Sequence, residues 1–210
     1  MQPFTTLTSI AAPLPEANVD TDIILPARFL LITSKAGIGK YAFYERRYDA
    51  DGTPKPDFVL NRSAYDGAQI LVAGDNFGCG SSREQAPWAL ADLGFRCLIA
   101  TGFGEIFRSN CLKNGMLPIT VSASDHAQLM DDANQRRPLT INLVAGLIMR
   151  ENGEQIAFAL DRSKREALLN GWDEIDRIAA RHGDAIAAFE RKQQTQQPWL
   201  WASEQEPVNG

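Results

Sequence analysis

Three short apolar runs, residues 69–73 (QILVA), 95–100 (FRCLIA) and 117–121 (LPITV), constrain this chain more than any other feature. Each is apolar almost throughout and bounded by turn-forming residues, the pattern of a strand buried on both faces. Helix-like stretches separate them, one ending at Leu93 with Gly94 as its stop and one over residues 105–112 before Asn114-Gly115. Strand, helix, strand, helix, strand calls for parallel pairing through right-handed crossovers, so the sequence predicts an α/β fold.

Around this centre the signals are weaker. Residues 9–22 (SIAAPLPEANVDTD) are rich in Pro, Asp and small side chains, and residues 23–33 (IILPARFLLIT) read as a strand or loop edge interrupted by Pro26. Residues 40–57 read as an exposed excursion with one short helical turn, and regular alternation is expected only from about Tyr65. Downstream, Ser124 is a capping candidate for a helix to about Gln135, and residues 139–150 and 154–160 flank Asn152-Gly153, a hairpin signal. Asp161 heads a helix to Leu169, and two further helices are expected at about 173–181 and 184–192. The remainder is polar apart from Trp199, Leu200 and Trp201. A length of 210 residues fits one domain, expected over 1–195 with a C-terminal tail at 196–210.

Composition removes several function classes. Lys and Arg number 21 against 26 Asp and Glu, a net charge of −5, which provides no basic field for nucleic acid. The N-terminus has no basic region followed by an apolar run, and no stretch is long enough to span a membrane, so a cytoplasmic protein is expected. Cys79, Cys97 and Cys111 have no metal-ligand spacing, and with two histidines no metal site is expected in this chain. His126 and His182 both fall on apolar helical stripes, a structural placement. Asn18, Asp20 and Asp22 imitate a calcium loop, but Ile23 and Phe29 stand where oxygen ligands belong. Residues 37–42 (GIGKYA) match a loose dinucleotide fingerprint with no full helix and parallel strand behind it.

One segment carries chemistry: residues 76–90, NFGCGSSREQAPWAL. Gly74, Gly78 and Gly80 let backbone amides approach a ligand closely, because glycine has no Cβ in the way. Residues 81–84 have the capping-box pattern S-x-x-E, which puts two hydroxyls and Arg83 at the positive end of a helix, a site for an anion. The planar fork of Arg83 suits a small carboxylic acid. Pro87 is too deep for a regular helix starting at Ser81, so the first turn is irregular or the helix starts later.

GCGSSRE followed by APWAL, with NVDTDIILP before it and FGEIFRSNCLKNGMLPI after it, resembles the small-subunit family of 3-isopropylmalate dehydratases in the aconitase superfamily. The resemblance runs through DAIAAFE near residue 190. It implies a three-layer swivelling β/β/α domain with a mainly parallel central sheet and a C-terminal helical region. It implies also a large-subunit partner, in a heterodimer or heterotetramer, carrying a [4Fe–4S] cluster whose open iron acts as a Lewis acid; this chain alone would bind none. The reaction would isomerise 2-isopropylmalate to 3-isopropylmalate by dehydration and rehydration in leucine biosynthesis. Carried over by position, Ser81 matches the catalytic serine, Asp22 an active-site aspartate, and Ser82 and Arg83 the groups that bind substrate carboxylate. Arg28, Phe29 and Leu30 resemble the loop that reads the substrate side group. Gln85 stands where the family commonly has histidine, which leaves open a paralogous branch acting on 2-methylmalate, citraconate or dimethylmalate. A non-catalytic carboxylate-binding module is a further alternative. A hydrolase using Ser82 lacks the G-x-S-x-G elbow.

Overall fold

The computed structural model describes residues 1–201, which fall into two compact units, one covering Met1–Gly171 and one beginning at Trp172. The first contains two four-stranded sheets. Strands β2 (Ala11–Leu14), β3 (Ile70–Ala73), β4 (Cys97–Ala100) and β5 (Leu117–Thr120) form a parallel sheet in that order. Strands β1 (Thr6–Ser9), β6 (Leu139–Asn142), β7 (Leu147–Arg150) and β8 (Gln155–Ala157) form an antiparallel one. Helices α1 (Thr21–Ile24), α2 (Tyr44–Arg47), α3 (Gln85–Asp92), α4 (Glu105–Lys113), α5 (Ala123–Asn134) and α6 (Arg162–Asn170) complete the unit.

The period-two geometry of the parallel strands divides the interior. Ile70 and Val72 of β3, with Cys97 and Ile99 of β4, join Leu139, Ile141, Ile148 and Ile156 of the antiparallel sheet in one apolar core. Leu71, Ala73, Leu98 and Ala100 point the other way, into a second core with Ile24 of α1, Leu90 of α3 and Phe107 of α4. The result is three layers, antiparallel sheet, parallel sheet and the helices α1, α3 and α4, as the resemblance implies, while α5 and α6 add Leu129, Ala133 and Leu168 to the core shared with the antiparallel sheet. The central strands are apolar at every position because both faces are covered. Pro13 and Pro118 are tolerated because β2 and β5 are the edge strands.

Several expectations are corrected here. Strands start at Thr6, well before residue 65, and β2 lies within the stretch rich in Pro, Asp and small side chains. Residues 23–33 hold no strand: α1 ends at Ile24 and a 3-10 turn covers Ala27–Phe29. Residues 139–150 are two strands, because the Asn142 side chain accepts the Ala145 N–H at 2.9 Å and Gly146 takes a positive φ of 71°. Ser122, not Ser124, caps α5.

The second unit contains a 23-residue helix, α7 (Glu174–Gln196), with Asp173 in a capping box, where two helices were expected. Its 3-10 extension covers Pro198–Leu200, so residues 198–200 of the expected tail are helical; residues 202–210 of that tail lie outside the described residues. Gly183 lies inside α7, and a Cβ there would touch nothing within 4 Å. Gly183→Ala is therefore expected to strengthen the helix by about 1 kcal/mol. Amide hydrogen exchange across residues 178–190 should slow several-fold; faster exchange would contradict this. Among the described residues, no helix is long and apolar enough to cross a membrane.

Only two polar or charged side chains among the described residues are fully buried, Thr21 and Asp132. Asp132 is answered by Arg150 Nε at 2.6 Å and Arg137 at 3.2 Å, which ties α5 to β7. Thr21 is answered by the glycine-rich loop.

Candidate active site

The chain leaves β3 at Ala73 and enters the glycine-rich loop at the carboxyl edge of the parallel sheet, where open α/β sheets bind ligands. The pairing of the strands continues past their ends. On one side, Asn18 donates its N–H to Asp75 O at 2.8 Å, Gly78 to Val19 O at 2.7 Å and Thr21 to Cys79 O at 3.0 Å. On the other, Phe77 donates to Gly102 O at 3.0 Å and Gly104 to Phe77 O at 2.9 Å. Glycine is required at two of these positions. Gly78 has φ +71°, and a Cβ there would stand 2.2 Å from the Phe107 ring. A Cβ on Gly104 would stand 2.4 Å from the Gly78 carbonyl oxygen.

This clamp brings Ser81, Ser82 and Arg83 beside α1, some sixty residues earlier in sequence. Asp20 caps α1, its Oδ1 accepting the Ile23 N–H at 2.8 Å. The next two residues face the loop: the Thr21 hydroxyl lies 3.0 Å from Ser81 Oγ and 3.3 Å from Ser81 O, and Asp22 pairs with the Arg83 guanidinium. Ser81, Ser82 and Asp22 are exposed, whereas Arg83 is half-buried. A hydroxyl, a cation and a carboxylate are thus presented together at the open edge of a rigid sheet.

The capping-box expectation fails. Helix α3 starts at Gln85, with Glu84 at its N-cap and no side-chain cap, so Ser81 lies in an irregular segment ahead of it. Pro87, third in α3, explains the late start, since the first-turn N–H groups have no intrahelical partners for a proline to remove. Ser81 is therefore not the cap of α3, and Arg83, two residues on, is the cation that this segment carries.

Arg28, Phe29 and Leu30 make a separate cluster. Arg28 pairs with Glu45 at 2.6 Å and lies over the rings of Phe29 and Tyr44, and Phe29 stacks on Tyr41 at 4.3 Å. Phe29, Leu30 and Ile32 pack against the core, and Leu31 between them is 93% exposed.

Comparison with known proteins matches residues 1–124 to the aconitase C-terminal domain family and residues 181–202 to the C-terminal domain family of the 3-isopropylmalate dehydratase small subunit. The 3-isopropylmalate dehydratase small subunit of Mesorhizobium japonicum is 53% identical over 95% of this chain and 100% of its own length. That of Sinorhizobium fredii is 52% identical with the same coverage. The chain belongs to the 3-isopropylmalate dehydratase small-subunit family. The crystal structure of a 3-isopropylmalate dehydratase from Methanocaldococcus jannaschii has the same fold, with a TM-score of 0.64 at 24% identity over 88% of this chain and 99% of that one.

Membership of the aconitase superfamily raises the question of an iron–sulfur cluster, and this dehydratase-family chain does not fit one. Cys97 is buried in the core between the sheets and Cys111 in the core beneath the helices, and burial pushes both thiols up in pKa, away from the thiolate a metal needs. Among the described residues, no group of three or more His, Cys, Asp or Glu could hold a metal ion. The cluster that the family suggests is one held by the large subunit. His126 is structural, its Nε2 lying 2.6 Å from the Ala73 carbonyl oxygen.

The thiols allow a direct check of the loop. Only Cys79 is partly exposed, so an alkylating reagent should modify one of three cysteines in the native chain and all three after denaturation. A second thiol reacting as fast as the first would contradict the two buried positions. Sequence reasoning passed over Thr21, which looks like one more polar residue between two aspartates. Its burial comes from pairing with a segment sixty residues away, which no local pattern records.

Proposed function

We propose that this chain is the small subunit of a cytoplasmic, heteromeric hydro-lyase that interconverts 2-isopropylmalate and 3-isopropylmalate in leucine biosynthesis. The observation that carries this reading is the loop from Gly78 to Arg83, which holds the Ser81 hydroxyl against Thr21 and the Arg83 guanidinium against Asp22 at the open edge of the parallel sheet. The chain pairs with a large subunit, as a heterodimer or heterotetramer, and the [4Fe–4S] cluster is assigned to that partner. The substrate is a small hydroxy dicarboxylic acid.

Within this chain, Ser81 is the base. As the alkoxide it takes the proton from the carbon next to the one bearing the leaving hydroxyl, and the electron pair left behind forms the double bond as that hydroxyl departs as hydroxide, which the Lewis acid expected on the large subunit would accept. Rehydration runs the same steps in reverse at exchanged carbons, with Ser81 returning the proton. A serine hydroxyl is a weak base unless its anion is favoured, and the nearby Arg83 charge favours it. Arg83 has five N–H donors; the pair with Asp22 fixes the direction of the fork while leaving others for a substrate carboxylate, with Ser82 beside it. Asp22 thus acts on the site through Arg83. Arg28, Phe29 and Leu30 border the substrate side group, where the apolar surface near Leu31 suits an isopropyl group, at about 0.8 kcal/mol per buried CH₂.

Gln85, the first residue of α3, favours comparing this reading with a paralogous one. The assembled enzyme should turn over 2-isopropylmalate at least tenfold better in kcat/KM than 2-methylmalate or dimethylmalate. The opposite order would transfer the chain to the paralogous branch.

A further inference from the structure

Thr21 is one of two fully buried polar side chains among the described residues, and the other, Asp132, is accounted for by its arginines. Both hydrogen bonds of the Thr21 hydroxyl go to a single residue, Ser81: 3.0 Å to Oγ and 3.3 Å to the carbonyl oxygen. The backbone holds Thr21 where it is, through its N–H to Cys79 O at 3.0 Å and the Asp20 cap of α1. Thr21 is 0% exposed, so water does not compete for its hydroxyl.

We propose that Thr21 is the positioning residue that sets the basicity of Ser81, an inference that rests on the reading of Ser81 as the base. A threonine hydroxyl has one proton and two possible acceptors here. While Ser81 is neutral, Thr21 donates to the Ser81 carbonyl and accepts the Ser81 O–H. When Ser81 gives up its proton, the Thr21 O–H turns to the alkoxide, a shorter contact and a charge-assisted bond, roughly twice as strong as a neutral one. The switch costs little, because the carbonyl it leaves is the longer of the two contacts and belongs to an exposed residue that water can reach. Thr21 thus favours the anion without touching substrate, and a carbonyl alone, which only accepts, could not do so.

The test uses the enzyme assembled with its large subunit. Thr21→Val keeps the volume and removes the hydroxyl; kcat is expected to fall by about tenfold to a hundredfold with KM within about threefold. The acid limb of the kcat–pH profile should move to higher pH, since the base has lost a group that stabilised its anion. Thr21→Ser should restore both the rate and the limb, which a merely structural role does not predict. In a Ser81→Ala background, Thr21→Val should have no further effect. Thr21→Ala, which adds no methyl against Ser81, should reproduce the Thr21→Val profile and serves if valine impairs assembly. Wild-type kcat and an unmoved limb in both variants, with Ser81→Ala inactive, would overturn the inference and leave Ser81 as the base. An active Ser81→Ala enzyme would overturn both.

Discussion

Ser81→Ala, assembled with the large subunit, is expected to lose about 10² to 10⁴ in kcat, the range that a positioned acid–base group contributes. The loss should fall on kcat and kcat/KM together, because the removed interaction belongs to the transition state rather than to substrate binding. The same substitution should leave the fold intact. Ser81 is exposed, and the buried Thr21 hydroxyl keeps the carbonyl of residue 81 as an acceptor at 3.3 Å. Tm and co-purification with the large subunit therefore stay at wild-type values. A Ser81→Ala enzyme with near-normal kcat would move the base to another residue, and one that no longer assembles would make Ser81 an interface residue instead.

The second large effect concerns stability. Gly78→Ala meets two obstacles at once: a positive φ of 71°, which disfavours any Cβ by about 1–2 kcal/mol, and the Phe107 ring 2.2 Å from where that Cβ must go. Phe107 is itself buried and packed edge-on against Phe77, so the ring has nowhere to withdraw. We expect a loss of about 3–5 kcal/mol, adding overpacking to backbone strain. For a chain of this size that lowers Tm by roughly 10 °C or more, measurable by thermal denaturation. Gly104→Ala disturbs the same loop through a different contact, since its Cβ would stand 2.4 Å from the Gly78 carbonyl oxygen, and should also lower Tm. An unchanged Tm in both variants would mean that the clamp around the loop is looser than its geometry states.

The central strands were legible because burial on both faces leaves a run of apolar residues that nothing else in a chain of this composition produces. Edge strands were harder. β2 carries Pro13, which an edge position tolerates and a sequence reading counts against a strand. The β6–β7 turn hides because Asn142 and Gly146 are separated, unlike the adjacent pair Asn152-Gly153. Helix α7 runs through Gly183 because one glycine costs only about 1 kcal/mol in a helix of 23 residues.

The site divides the same way. Ser81, Ser82, Arg83 and Asp22 were identified from motifs, and the fold brings the two segments together through ladder bonds that continue beyond β2 and β3. The capping box is the part that fails, since S-x-x-E marks a cap only if the helix starts there, and Pro87 shifts the start to Gln85. Thr21 could not be found locally, because what distinguishes it is a long-range contact.

The most direct measurement is reconstitution. The chain is mixed with a cluster-loaded large subunit of the dehydratase and supplied with 2-isopropylmalate, and the unsaturated intermediate is followed by its ultraviolet absorbance. The account predicts turnover that needs both proteins, with 3-isopropylmalate as the product and no activity from either alone. Calorimetric binding of isopropylmalate to the isolated chain, with no turnover in the presence of a competent partner, would contradict it and leave a carboxylate-binding module.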